Sequence, residues 1–340
     1  MKTNLLTLVA LLGGVFALPP QKKRSSNGPV IPVNFQDPSV IQVDNTFYAY
    51  SGPNGNPNAN VQVARSPDFS TWSVLSGVDL LPDAGSWAAA TPHVWSPDVN
   101  LVKSGEYVLY YSAAAASNPG KHCTGAATSS TPDGVFTPLE SPLFCPIEAG
   151  GAIDPDGFID PRTSKQYVVY KVDGNSNGHG GACSNTVAPI QPTPILLHEV
   201  SPFDGVTLIG KPVQLLTNTA ADGPNIEAPA LAFDSSSQTY ILFFNSGCYT
   251  TTGYNIQYAT SNSVLGPYTR RGKFLATGDT AAKVIIPGGI DVLPSDNTKA
   301  VFHADINQGY LQGDGSKRVR AVYAIDLKLS GHTASAGPLV

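Results

Sequence analysis

The sequence predicts an all-β chain folded as a five-bladed β-propeller. Charged residues make up 13% of the 340, against 33 Gly and 29 Pro, where a typical charged share is about 25%. Low charge with many turn formers suits short strands and argues against helical bundles and coiled coils. A strand–turn–strand unit recurs five times, its starts spaced about 60 residues apart and stretched to 73 between Asp154 and Glu227. The hydrophobic share of 41% allows a large core and excludes disorder.

The first residues read as an address. Lys2 precedes an apolar run at 5–12, and Val15-Phe16-Ala17 offers a small residue at a cleavage position. The run is too short to span a bilayer, so residues 1–17 are expected to be a secretory signal peptide. Residues 18–24 end in the dibasic Lys22-Lys23-Arg24 and form the expected propeptide. The chain is then expected to be exported, extracellular, monomeric and free of membrane spans.

The propeller is expected over 25–330. Its repeats are DPSVIQVDNTFYAYS (37–51), SPDVNLVKSGEYVLYYS (96–112), DPDGFIDPRTSKQYVVYK (154–171), EAPALAFDSSSQTYILFFN (227–245) and IDVLPSDNTKAVFHAD (290–305). Each holds an apolar strand, a polar turn and a strand rich in Tyr, Phe and Val. The turns carry Asp44-Asn45, Ser104-Gly105, Asp160-Pro161, Ser235-Ser236 and Asp296-Asn297, all suited to hairpins. Third strands are expected at 61–66, 125–130, 195–200, 256–261 and 319–327, with an outer fourth strand such as Trp72-Ser73-Val74-Leu75 in several repeats. Three to four antiparallel strands repeated five times make propeller blades. A β-sandwich would need no fivefold recurrence. Residues 331–340 are expected to be a frayed tail.

Four cysteines in an exported chain suggest two disulfides, with three pairings open. Cys123–Cys145, close in sequence, and Cys183–Cys248, both in Gly-rich loops, are the expected pairs. Their spacing matches no zinc signature.

In a propeller the first strand of each blade lines the central channel, so equivalent positions ring one mouth. Here they are expected to hold Asp37, Ser96, Asp154, Glu227 and the Gly288-Gly289 stretch. A single Asp-Pro is more often a turn former. Three acids in one register are more than that. Gathered carboxylates raise one another's pKa, so one stays protonated while another stays ionised. Glycoside hydrolysis needs that pair: an acid for the leaving oxygen and a carboxylate opposite.

At these residues the sequence resembles glycoside hydrolase family 43, which includes arabinanases, α-L-arabinofuranosidases and β-xylosidases. The likeness covers about 34–328 and rests on DPSVIQVDNTFYAYS, SPDFSTW (66–72), VWSPDV (94–99), AIDPDGFID (152–160), IEAPAL (226–231) and LGPYT (265–269). It implies an inverting glycosidase in which Asp37 is the general base, Glu227 the general acid, and Asp154 tunes and orients that acid. It also implies that Trp95 stacks on sugar and that Arg318 or Arg320 faces substrate. His303 in VFHAD would lie near a calcium or other ion in the channel, although the chemistry itself requires no cofactor. The implied partner is an arabinose- or xylose-containing plant cell-wall polysaccharide or its fragments. Trp95-Ser96-Pro97 stands where the family often has W-A-P, and Glu227-Ala228-Pro229 where it often has E-G-P. Asp98 leans the chain slightly toward the arabinanase branch. Residues 173–194 are expected to form a rim loop.

Other classes find less support. A net charge of −5 disfavours nucleic acid. The sister family of invertases would show N-D-P-N-G, R-D-P and E-C motifs, and none is present. There is no H-E-x-x-H and no G-x-x-x-x-G-K-[ST]. A sugar-binding propeller without catalysis would not need three acids in register.

Overall fold

The computed structural model describes residues 28–53, 59–280, 282–307 and 318–340. The signal peptide and dibasic site expected at 1–24 lie outside the described residues. Every regular element longer than one turn is a strand, and the strands form five four-stranded antiparallel sheets. The first blade is β1 (Ser39–Val43), β2 (Thr46–Ser51), β3 (Gln62–Ser66) and β4 (Ser73–Val74). The second is β5 (Trp95–Leu101), β6 (Tyr107–Ala115), β7 (Asn118–Ser129) and β8 (Thr137–Pro138). The third is β9 (Ala152–Ile159), β10 (Gln166–Val172), β11 (Ile195–Val200) and β12 (Leu208–Leu216). The fourth is β13 (Ile226–Asp234), β14 (Thr239–Ser246), β15 (Asn255–Ser261) and β16 (Thr269–Leu275). The fifth is β17 (Ile285–Val292), β18 (Lys299–Asp305), β19 (Arg320–Ser330) and β20 (Thr333–Leu339). The five-bladed propeller expected from the repeats is the fold observed.

The frayed tail expected at 331–340 is instead β20, paired with β19 from Ile325 to Ser330. Gly331, at φ 60°, supplies the left-handed step that turns the chain back. The rest of that outer edge is filled from the other end of the chain. Val30 and Ile31 N–H groups both donate to Val322 O, Val322 N–H donates to Ile31 O, and Phe35 N–H donates to Arg320 O. Residues before the first blade thus complete the last one, and backbone hydrogen bonds close the ring.

The core lies in the seams between blades. Each of its five clusters joins neighbours, as where Phe243 and Phe274 of the fourth blade meet Phe302 and Leu327 of the fifth. The second strands β6, β10 and β14 are buried along their whole length. This explains why YVLYYSAAA reads as a continuous apolar run without alternation. Both expected disulfides, Cys123–Cys145 and Cys183–Cys248, are formed, and the second ties the loop after β10 to the loop after β14. Among the described residues no helix is long and apolar enough to cross a membrane.

Three acids on inner strands staple the ring from inside the channel. Asp98 Oδ2 accepts from Gly157 N–H at 2.7 Å, joining the second blade to the third. Asp156 Oδ2 accepts from Leu231 N–H at 3.2 Å, joining third to fourth. Asp291 Oδ2 accepts from Val40 N–H at 2.6 Å, joining fifth to first. Burial pushes Asp156 and Asp291 well above the carboxylate range and Asp98 up to about 6. A carboxyl with a raised folded pKa stabilises below its unfolded value and loses that contribution as pH rises through the folded one. For Asp98 the window runs from 3.8 to about 6, and the loss is on the order of 3 kcal/mol. Thermal unfolding followed by circular dichroism should therefore show Asp98→Asn losing less Tm between pH 4 and 6 than wild type. Parallel Tm curves for the two proteins would contradict a buried, titrating Asp98.

Candidate active site

Each inner strand carries, or in the first blade closely follows, a residue in the left-handed region. Asp37 (φ 45°), Ser96 (44°), Asp154 (55°), Ala228 (47°) and Gly289 (55°) share it. In four blades the next residue is proline: Pro38, Pro97, Pro155 and Pro229. For Ser96 and Ala228 this conformation costs about 1–2 kcal/mol, held by the surrounding ring. The register corrects one expectation. Ala228, not Glu227, is the blade-four equivalent of Asp37 and Asp154, and Glu227 sits one step earlier, level with Trp95. The irregularity in β13–β14 pairing between Glu227 and Ala230 matches the one in β5–β6 between Trp95 and Asp98 and sets Glu227 level with Trp95. Acids at two adjacent register positions therefore meet in one pocket.

That pocket is a cavity of about 310 Å³ at one mouth of the channel. Asp37, Asp154, Glu227, Trp95 and Arg320 all line it. Asp37 N–H donates to His303 Nδ1 at 3.1 Å, and its Oδ2 lies 4.0 Å from Arg320 Nη1. Burial raises the Asp37 pKa against the pull of Arg320, and Glu227 adds to the rise. Ser96 Oγ donates to Asp154 Oδ1 at 2.8 Å and Ala228 N–H to Oδ2 at 3.0 Å. Burial, then the Glu227 charge, pushes Asp154 up to about 7.

Glu227 receives three donors. Tyr254 OH donates to Oε1 at 2.8 Å, while Asn225 Nδ2 and Lys171 Nζ donate to Oε2 at 2.6 and 3.1 Å. Lys171 also pairs with Asp173 at 2.9 Å. Sequence reading passed over all four of these neighbours. Lys171 had a signal, a lone cation ending the apolar run YVVYK. Asn225, Asp173 and Tyr254 had none, because loops bring them in.

Trp95 is 36% exposed and lies flat on His122, ring centroids 3.6 Å apart at 17°. Burial pushes His122 down to about 4, so it backs the indole as a neutral ring. The structure separates the two arginines. Arg320 lines the pocket, whereas Arg318 is engaged by both oxygens of Asp305 at 2.7 and 2.8 Å and donates to Tyr249 O. Both guanidinium groups lie near the ring of Tyr249, at 5.7 and 5.9 Å.

Gly288 and Gly289 make room. A Cβ at Gly288 would come within 2.5 Å of Tyr254, and one at Gly289 within 2.9 Å of His303 Nδ1. His303 itself does not fit the ion-binding expectation. Its Nδ1 accepts from Asp37 N–H, which places the neutral ring's proton on Nε2. A protonated Nε2 offers no lone pair to an ion. Burial holds the imidazole neutral, and among the described residues no group of three His, Cys, Asp or Glu is disposed to hold a metal. The Gly174-Asn175-Ser176-Asn177-Gly178 segment has the G-x-S-x-G spacing of a serine hydrolase. Ser176 Oγ, however, donates to Gly150 O at 2.7 Å from a short 3-10 turn, not from a strand-to-helix elbow.

The family model described as Glycosyl hydrolases family 43 matches residues 26–325. The chain belongs to this family. It is 25% identical over 264 residues to the extracellular endo-α-(1→5)-L-arabinanase 2 of Bacillus subtilis, covering 69% of this chain and 50% of that protein. The chain spans about half the length of the curated relatives it matches. Among solved structures it is similar to a thermostable family-43 glycoside hydrolase at TM-score 0.71 and 21% identity, covering 90% of this chain and 94% of the other. An endo-1,4-β-xylanase structure from Bacteroides thetaiotaomicron follows at TM-score 0.69 and 22% identity, covering 91% and 96%. At these identities the structural likeness speaks for the fold.

Proposed function

We propose that this family 43 chain is a secreted glycoside hydrolase that inverts anomeric configuration and acts on arabinose- or xylose-containing plant cell-wall polysaccharides. The observation that carries the reading is the gathering of Asp37, Asp154 and Glu227 in one pocket with Trp95 and Arg320. Asp37 opens the first blade and Glu227 the fourth, so the fifth blade separates them on the shorter way round the ring. Inversion requires a sugar and a water between the two carboxylates, and in this reading the pocket between them holds both.

In this reading Asp37 takes a proton from the attacking water, and burial makes its carboxylate a stronger base. Glu227 protonates the departing glycosidic oxygen. Asp154, held by Ser96 and the Ala228 N–H, orients the acid, and once ionised, above about pH 7, it adds negative charge against the acid's ionisation. Trp95 offers an apolar face to the C–H face of a sugar, and Arg320 positions hydroxyls beside the base. No step needs a cofactor. Disulfides and the extracellular names of the relatives support export.

The arabinanase names of the curated relatives favour α-L-arabinofuranosyl linkages. The xylanase neighbour keeps a xylosidase-type reading as the second one. Incubating the protein cut after Arg24 with linear arabinan, arabinoxylan and aryl glycosides of both sugars separates them. Release of arabino-oligosaccharides or arabinose from arabinan is expected. Action on xylosides alone would move the assignment, and hydrolysis of none would remove it.

A further inference from the structure

Lys171 is the one pocket-lining lysine among the described residues and has no solvent exposure. It is the penultimate residue of β10, opposite Ile153 of β9, and it lines the pocket. Such a group is expensive to bury, so its neighbours explain it. Nζ lies 2.9 Å from Asp173 Oδ1 and 3.1 Å from Glu227 Oε2. Against its burial, Asp173, then Glu227 and Asp154, hold it charged. Nothing in the reaction as proposed above uses this cation.

We propose that Lys171 is a positioning residue that reserves Oε2 of Glu227 as an acceptor, directs the transferable proton to Oε1, and sets the pH at which Glu227 loses it. The inference rests on the general-acid reading of Glu227. Lysine ammonium and the Asn225 amide can only donate, so Oε2 facing both cannot carry the proton. Tyr254 OH is the partner that can reverse, accepting where it now donates. Protonated Glu227 therefore presents its hydrogen from Oε1.

The same arrangement opposes two charges. Lys171 favours the ionised carboxylate, while Asp154 on β9 and Asp37 before β1 favour the protonated one. Arg320 and His303 face Asp37, and Asp173 faces Lys171. Asp173 takes the first share of the lysine's charge, so it controls how much reaches Glu227. Removal of the lysine and removal of its competing partner must then move Glu227 in opposite directions. A merely structural ion pair would move activity without moving the pH limb.

The test is the alkaline limb of kcat against pH on an arabino-oligosaccharide. Lys171→Met is expected to shift that limb upward by about 1–3 pH units. Asp173→Asn is expected to shift it downward, and Lys171→Arg to hold it near the wild-type position. A substrate-free readout runs beside it. The chain has five glutamates, so carboxyl-13C-labelled glutamate gives a sparse spectrum in which Glu227 is identified by its loss in Glu227→Gln. Its titration should move as the limb moves. Unmoved limbs and titrations, or shifts of the same sign in both variants, would overturn the proposal. If Lys171→Met does not fold, the downward shift in Asp173→Asn decides alone. If wild type hydrolyses no glycoside, the functional reading fails while the carboxyl titration still judges Lys171.

Discussion

Glu227→Ala is expected to lower turnover of natural arabinan or arabinoxylan by about 10²–10⁴-fold, while aryl glycosides with good leaving groups lose far less. The difference follows from the leaving oxygen. A sugar alkoxide is a very poor leaving group, so its departure depends on a proton delivered as the bond breaks. A nitrophenolate departs unassisted. The variant also removes the acceptor for Tyr254, Asn225 and Lys171, so Glu227→Gln is the needed companion. It keeps the shape and loses the proton. If both variants lose equal activity on both substrate types, Glu227 is not the acid. Initial rates on paired substrates differing only in leaving-group pKa decide the matter.

Asp37→Ala is expected to be nearly inactive on every substrate, aryl glycosides included, because water must be activated whatever the leaving group. In the wild-type reaction the first product, seen by proton NMR before mutarotation, should carry the anomeric configuration opposite to that of the substrate. Azide added to Asp37→Ala should give no glycosyl azide of retained configuration. A retained product, or a sugar covalently trapped on Asp37, would replace water attack with attack by the carboxylate and leave the propeller untouched. Asp37 also anchors its blade through the N–H donated to His303 Nδ1. That bond belongs to the backbone and survives the substitution, so lost activity should come without loss of fold, as circular dichroism would check.

The fivefold recurrence and the hairpin turns were legible because they are local or periodic. An apolar strand followed by Asp44-Asn45 or Ser104-Gly105 has few alternatives, and a repeat that cannot bury its faces alone must stack. Asp37 and Asp154 could be named because each precedes a proline at the start of a repeat, and Glu227 because it stands two residues before one. Glu227 stands one residue further from its proline than Asp37 and Asp154 do, and aligning the repeats on their acids hides that offset. The last strand was misread for a related reason. The small and polar run TASAGPL does not announce a strand, and Thr333–Leu339 becomes one because β19 offers it an edge.

The sequence alone determined what repeats and what chemistry the repeats carry: five blades, an even count of cysteines, and carboxylates at blade starts. Periodicity and side-chain chemistry are properties of short segments, so they survive without coordinates. Tertiary structure alone decided who touches whom. It chose Arg320 over Arg318, turned His303 toward the Asp37 N–H, and set Lys171, Asn225 and Tyr254 around Glu227. The contact between Asp37 and His303 joins residues 266 positions apart. Such contacts exist because the ring closes, with Val30 and Ile31 bonded to Val322, and the closed ring brings all five inner strands to one axis.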